Sequence, residues 1–206
     1  MSNYKLYINE ILVDNVPDNI ILDIQGEGHK LFLHSFSGNG KLHIKLRGKD
    51  NLIHFGKNNK INRTLSITGL NYTNRECYGS CFIGNDNTFN GNVTISIPLT
   101  LNRYVKIGDS NLFANDVHLL GVTEHLVFNI HTHELLNKED NIVIGNHNWI
   151  GKNTTFLTKA HIFDNSVVGL SSVVTKKFDK SNIMIAGNPA RVRREEIYWE
   201  EYYQHE

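Results

Sequence analysis

What the chain lacks narrows its function before any motif is read. It carries no net charge, 21 Lys and Arg standing against 21 Asp and Glu, so it has no basic footprint for holding nucleic acid or an anionic membrane surface. No run of about eighteen apolar residues occurs, and Met1 to Asn9 shows no basic segment followed by an apolar stretch; neither a membrane span nor secretion is predicted, and the expected compartment is cytoplasmic. Cysteine is scarce. Cys77 and Cys81 are the only two, their C-x-x-x-C spacing fits no usual zinc pattern, and ordinary reduced thiols are expected. Proline is also rare, three against sixteen glycines. Together with runs such as Asn85-Asp86-Asn87 and Asn146-His147-Asn148, this implies many short turns. With 40% hydrophobic and 20% charged residues there is enough apolar material for one sizeable folded domain.

The apolar residues recur with a period of six. From Ile83 the series runs Ile83, Phe89, Ile95, Leu101, Ile107, Phe113, Leu119, and a second runs Ile144, Ile150, Phe156, Ile162, Val168, Val174, with a shorter piece at Phe55, Ile61 and Ile67. Four residues after apolar positions of the second series stand Asn148, Thr154, Ala160, Ser166 and Ser172, all small or short polar. Six matches neither the 3.6 of a helix nor the 2 of a simple strand. A solenoid has this signature: each hexad supplies a short strand and a turn, the large residue pointing inward and the small one fitting the tight corner. Three hexads to a triangular turn give about five turns.

Two breaks interrupt the frame. Thr68 to Tyr78 is polar and contains glycine, and the step from Leu119 to Ile144 is too long for a corner, which predicts a loop of about residues 125–141 thrown out from the scaffold, a usual place for function. Residues 1–50 carry strand-like pieces, Tyr4 to Ile8, Ile20 to Ile24 and Leu42 to Leu46, and are expected as a β-rich cap over an otherwise open strand edge. The β-helix is expected over 51–182, and 183–206 as a C-terminal turn followed by a helix over Arg193 to Tyr202, where Ile197 and Tyr198 lie one turn from Tyr202.

Three blocks, Ile142-Val-Ile-Gly-Asn-His-Asn-Trp-Ile-Gly151, Val167-Val-Gly-Leu-Ser-Ser-Val-Val-Thr-Lys176 and Ile185-Ala-Gly-Asn-Pro-Ala-Arg-Val192, resemble the hexapeptide-repeat acyltransferases, and most of all the subgroup that O-acetylates sugars and surface polysaccharides. The resemblance implies an all-β, left-handed parallel β-helix and acetyl transfer from acetyl-CoA to a hydroxyl of a bacterial sugar, capsule or O-antigen. It also implies a homotrimer in which the extruded loop of one subunit covers its neighbour. Outward apolar residues such as Leu112 and Leu126 are compatible with such contacts. The family's catalytic histidine, counted back from Trp149, falls on His125, with His133 as the reserve, and the family's loop asparagine falls on Asn137. Family members often carry an Asp two residues before the histidine; this chain has Thr123 there and Glu124 beside the histidine.

A histidine suits the chemistry, since a neutral imidazole can take the hydroxyl proton as the alcohol attacks the thioester. The resemblance implies direct transfer with no acyl-enzyme, and gives Trp149 and Asn137 to the acceptor site. It assigns Lys152, Leu170 and Ser171 to the pantetheine arm, and Thr175, Lys176, Arg191 and Arg194 to the coenzyme A nucleotide, where cations would meet phosphate. No metal is expected. Other readings stay open: N-acetylation of a nucleotide-linked amino sugar, a zinc hydratase like the carbonic anhydrases built on the same solenoid (with His118, His125 and His147 as ligands), or a noncatalytic scaffold.

Overall fold

The structure, a computed structural model, describes residues 4–70, 78–123 and 125–201. Among these the only regular elements are strands. They form three sheets of eight, seven and seven strands, and from Leu52–Phe55 to Val173–Val174 successive strands visit the sheets in rotation. The first sheet runs from Tyr4–Ile8 through Ser80–Ile83 and Ile142–Ile144 to His161–Ile162. The second runs from Lys60–Ile61 through Leu112–Phe113 and Trp149–Ile150 to Arg191–Arg194, and the third from Ile20–Ile24 through Val117–Leu120 to Val173–Val174. Neighbours within each sheet are parallel except at the two ends, where Ile11–Leu12 and Arg191–Arg194 fold back antiparallel. This is a β-solenoid of about five turns matching a left-handed β-helix.

The period explains the core. Each hexad's large residue faces the axis, and parallel register sets like on like: Ile67, Ile95, Leu119, Phe156 and Val174 stand in one column of the third sheet, and all five are buried. Phe89 and Phe113 stack in the second sheet with ring centroids 4.9 Å apart. Each such side chain contributes about 1.5–3 kcal/mol by leaving water.

The corner between the first and second sheets is built from a short repeated unit. Asn58, Asp86, Ser110, His147 and Asn165 hold positive φ, a conformation that Asn, Asp and His adopt more readily than most residues. The residue after each points inward, giving a column of buried asparagines. The carboxamide oxygens of Asn59, Asn87, Asn111 and Asn148 accept from the backbone N–H of Asn87, Asn111, Asn148 and Ser166 at 2.8–2.9 Å. Their amide groups donate to glycine carbonyls of the same or next coil, Asn111 to Gly145 at 3.0 Å. Asn148 Nδ2 alone finds no partner; one coil on, Phe163 stands where the lower coils have glycine.

Three details differ from the sequence expectation. Leu101 is not a core hexad: it is 61% exposed in a turn between Ser96 and Tyr104 closed by the Arg103 N–H to Thr100 O bond. An insertion at the corner that happens to preserve the frame of six gave it the look of a hexad. Parallel pairing runs without a break across residue 50, since Lys41–Leu46 lies between Ile20–Ile24 and Thr64–Gly69; the segment expected as a cap supplies strands of the first and third sheets, and the second sheet begins only at Lys60–Ile61. The expected C-terminal helix does not form over the described residues. Arg191–Arg194 is a strand returning on Met184–Ala186, and Tyr198 is 83% exposed, so there is no apolar stripe to hold a helix down; Tyr202 lies outside the described residues. Cys77 does too. Cys81 is a buried free thiol whose pKa burial pushes up to about 12, so it is inert at neutral pH.

Candidate active site

All the long insertions leave from one corner, that between the third and first sheets: between Gly69 and Ser80, between Ser96 and Tyr104, and between Leu120 and Ile142. The last is the loop that the broken period predicts. It is a hairpin-like arm rather than an irregular excursion. Phe128 and Leu135 bridge antiparallel, Leu136 N–H donates to Val127 O at 2.8 Å, and the Asn129 side chain caps the N–H groups of His131 and Thr132 at the tip.

The foot of the arm is fastened by Glu139, a residue the sequence did not single out. Its carboxylate accepts from Leu99 N–H at 2.9 Å, from Thr100 N–H at 3.0 Å and hydroxyl at 2.8 Å, and from Thr123 N–H at 3.1 Å. One anion therefore ties the arm's two ends to the turn of the coil beneath. Asp140 adds an ion pair to Arg103 at 3.3 Å.

His125 sits near the base of the arm with its side chain exposed. Asn137 holds it there through the backbone, donating from Nδ2 to His125 O at 2.6 Å while Oδ1 accepts from Val127 N–H at 2.8 Å. Asn137 thus uses both ends of its amide inside the arm. His133 lies at the tip with φ of 54°. Trp149 opens a strand of the second sheet, its ring turned outward and 43% exposed, between Leu112 and Val167 in the same outward column. In one chain, then, His125 and Trp149 stand on different sides of the solenoid.

Lys152, Leu170 and Ser171 share the corner between the second and third sheets, Ser171 N–H donating to Lys152 O at 2.8 Å. The Gly187-Asn-Pro turn closes over the same edge, with Gly187 N–H on Ser172 Oγ at 3.1 Å and Ala190 N–H on Val173 O at 2.8 Å. Arg191 and Arg194 follow on the exposed last strand. Thr175 and Lys176 lie one short strand away, at the next corner, where they line an open cleft of about 490 Å³ with Lys159, His161 and Lys177 beneath the foot of the arm. The sequence reading passed over these last three because none falls in a matched block. His161 is pushed below the usual histidine range by burial and by the nearby Lys177 cation, Asp179 opposing. Among the described residues no three His, Cys, Asp or Glu side chains group as a metal site, and His118, His125 and His147 are not gathered.

No protein-family model matches the chain. The galactoside O-acetyltransferase of Escherichia coli K12 is 41% identical over 123 residues, 57% of this chain and 56% of that protein. The polysialic acid O-acetyltransferase of E. coli O1:K1 is 30% identical over 95 residues, 46% of this chain and 31% of that protein. The matched stretch therefore spans well under two thirds of either relative. Among solved structures, the polysialic acid O-acetyltransferase OatWY superposes with a TM-score of 0.67 at 24% identity, covering 99% of this chain and 90% of that one. The chain is thus similar in sequence to these sugar O-acetyltransferases over about half its length, and shares the fold of the polysialic acid O-acetyltransferase.

Proposed function

We propose that the protein transfers an acetyl group from acetyl-CoA to a hydroxyl of a bacterial sugar or surface polysaccharide, as a homotrimer, with His125 as general base. The observation that carries this reading is the arm. It brings the one histidine in the family's register out to the surface on a fastened hairpin, and its flanks leave Leu126, Val127, Phe128, Ile130 and Leu136 exposed. A contiguous apolar rim on a stiff projection suits it to lie against another chain. In that arrangement the imidazole of one subunit would meet the outward face of the neighbour that carries Trp149, which the separation of the two residues within one chain calls for.

The step itself balances simply. The sugar oxygen bonds to the thioester carbonyl carbon as its proton passes to the neutral imidazole; the carbon–sulfur bond then breaks, and the imidazolium returns the proton to the leaving thiolate. A positioned base supplies about 10²- to 10⁴-fold; the remainder comes from holding the two substrates together. Asn137 acts as a positioning residue, since it fixes the backbone that carries the base. The exposed cations Lys152, Lys176, Arg191 and Arg194 suit the phosphates of the coenzyme. The test is thiol release from acetyl-CoA with a panel of sugars, read with the mass gained by the acceptor. Acetylation that His125→Ala abolishes while the chain stays folded supports the reading; transfer unaffected by that change overturns the role of His125.

A further inference from the structure

The C-terminal tail puts a second indole beside Trp149. After the strand Arg191–Arg194 the chain is pinned by the Lys180–Glu195 ion pair at 2.7 Å. A two-way clamp with Asn182 follows, Ile197 N–H donating to Asn182 O at 2.9 Å and Asn182 Nδ2 to Ile197 O at 3.1 Å. These contacts lay Trp199 on the corner between the first and second sheets. Its ring stacks on the His147 imidazole, centroids 4.6 Å apart and planes 15° off parallel, and Nε1–H donates to His147 O at 2.9 Å. Its centroid is then 6.4 Å from that of Trp149, the planes tilted by 40°.

Two features argue for more than tail packing. The positive-φ position at this corner is Asn58, Asp86, Ser110 or Asn165 in other coils, and only the coil of Trp149 places an aromatic ring there for the indole to rest on. The pair also stays partly open to solvent on an outer face, whereas a tail that only sealed the solenoid end would turn its rings onto the last coil. Two tilted indoles form a shallow angled wall. The C–H face of a pyranose packs on the electron-rich face of such rings while its hydroxyls remain wet at the edge.

We propose that Trp199 is a specificity-determining residue of the acceptor site, forming with Trp149 a two-indole wall that takes the apolar face of a saccharide. This rests on the sugar-transfer reading above and deepens it.

The test uses the full-length protein with acetyl-CoA and two acceptors, methyl β-galactoside and oligosialic acid. Trp199→Ala raises the KM of the accepted sugar about tenfold or more, the loss of one good ring contact with its ordering. The KM of acetyl-CoA and the melting temperature stay near wild type, and Trp199→Phe recovers most of the loss. An unchanged acceptor KM, or both KM values rising together with a lowered melting temperature, overturns the proposal and leaves sugar transfer standing. Saturation-transfer NMR on the same sugars separates the two readings from the other side. Saturation reaching the sugar protons in the wild type and lost in Trp199→Ala, without acetylation, would sink transfer and keep the wall; no saturation of either sugar would sink the wall.

Discussion

At the corner between the first and second sheets every coil from Phe55 onward turns in the same few residues, while at the corner between the third and first sheets successive coils differ in almost everything. The first corner stacks Asn59, Asn87, Asn111 and Asn148 into a column whose backbone partners are supplied by the next coil. The second throws out three insertions, one of them the arm that carries His125. One corner repeats because its polar groups are buried and each must find a partner; the other varies because its chain lies in water, where a loop needs only its two ends fastened. Stability is thus concentrated in the repeated corner and in the core, the proposed function puts the chemistry at the variable corner, and substitutions should separate accordingly.

The largest effect is expected in the arm. His125→Ala should lower kcat by about 10²- to 10⁴-fold with no change in the urea midpoint, because among the described residues its imidazole is exposed and its hydrogen bond to Asn137 runs through the backbone carbonyl. A falling midpoint would mean that the arm is part of the stable body after all. In the core the pattern inverts: Phe113→Ala removes a buried ring stacked on Phe89 and should cost about 3–5 kcal/mol by urea unfolding, activity per folded molecule being kept. Next is a matched pair. Asn111→Ala leaves the Asn148 N–H and the Gly145 carbonyl without their bonds and should cost about 1–3 kcal/mol. Glu139→Ala releases four donors at the foot of the arm, and should lower kcat about tenfold through misplacement of His125 while moving the midpoint little. If Glu139→Ala instead unfolds the chain as Asn111→Ala does, the division between the two corners fails.

The same contrast explains what could be read from sequence. The coil body was legible because stacking forces a fixed spacing: Ile83, Phe89, Ile95, Ile107, Phe113 and Leu119 are all buried as the period requires. Leu101 misled because an insertion at the variable corner stayed in phase, and phase is all that a period reports. The N-terminal coils were missed for the opposite reason. Leu31 pairs with Ile53 and Leu42 with Leu65, spacings that fit no multiple of six, so their parallel stacking left no periodic trace. Arg193 to Tyr202 looked helical from the separation of three side chains, yet the Asn182 clamp and the strand pairing of Arg191–Arg194 are contacts distant in sequence, as are those of Trp199 with His147. The outward ring of Trp149 and the existence of the loop follow from the period, whereas Glu139, Lys159, His161 and Lys177 acquire their neighbours only when coils stack.

The smallest expected effect concerns pH and again sets buried order against the surface. His29 is buried; its Nδ1 accepts from the Asn51 N–H at 3.3 Å, and its Nε2 faces the Gln25 carbonyl at 3.2 Å. That arrangement uses one acceptor and one donor, the neutral ring, and burial holds the pKa below its usual 6.5 against the raising influence of the Gln25 carbonyl and Asp50. His161 is lowered in the same direction. For a base with a depressed folded pKa, the unfolded chain takes up a proton that the native chain refuses, so stability is complete above the unfolded value and declines as pH falls below it. The urea midpoint should therefore drop between about pH 7.5 and 5.5. That window lies well above the titration of Asp23, which the Arg47 guanidinium holds below the usual carboxylate value of 3.8, so surface ion pairs do not contribute to the slope. His161→Gln, at a half-exposed position, should flatten part of it. A midpoint that stays level or rises toward pH 5.5 would show that these rings accept protons in the folded coil as readily as in water.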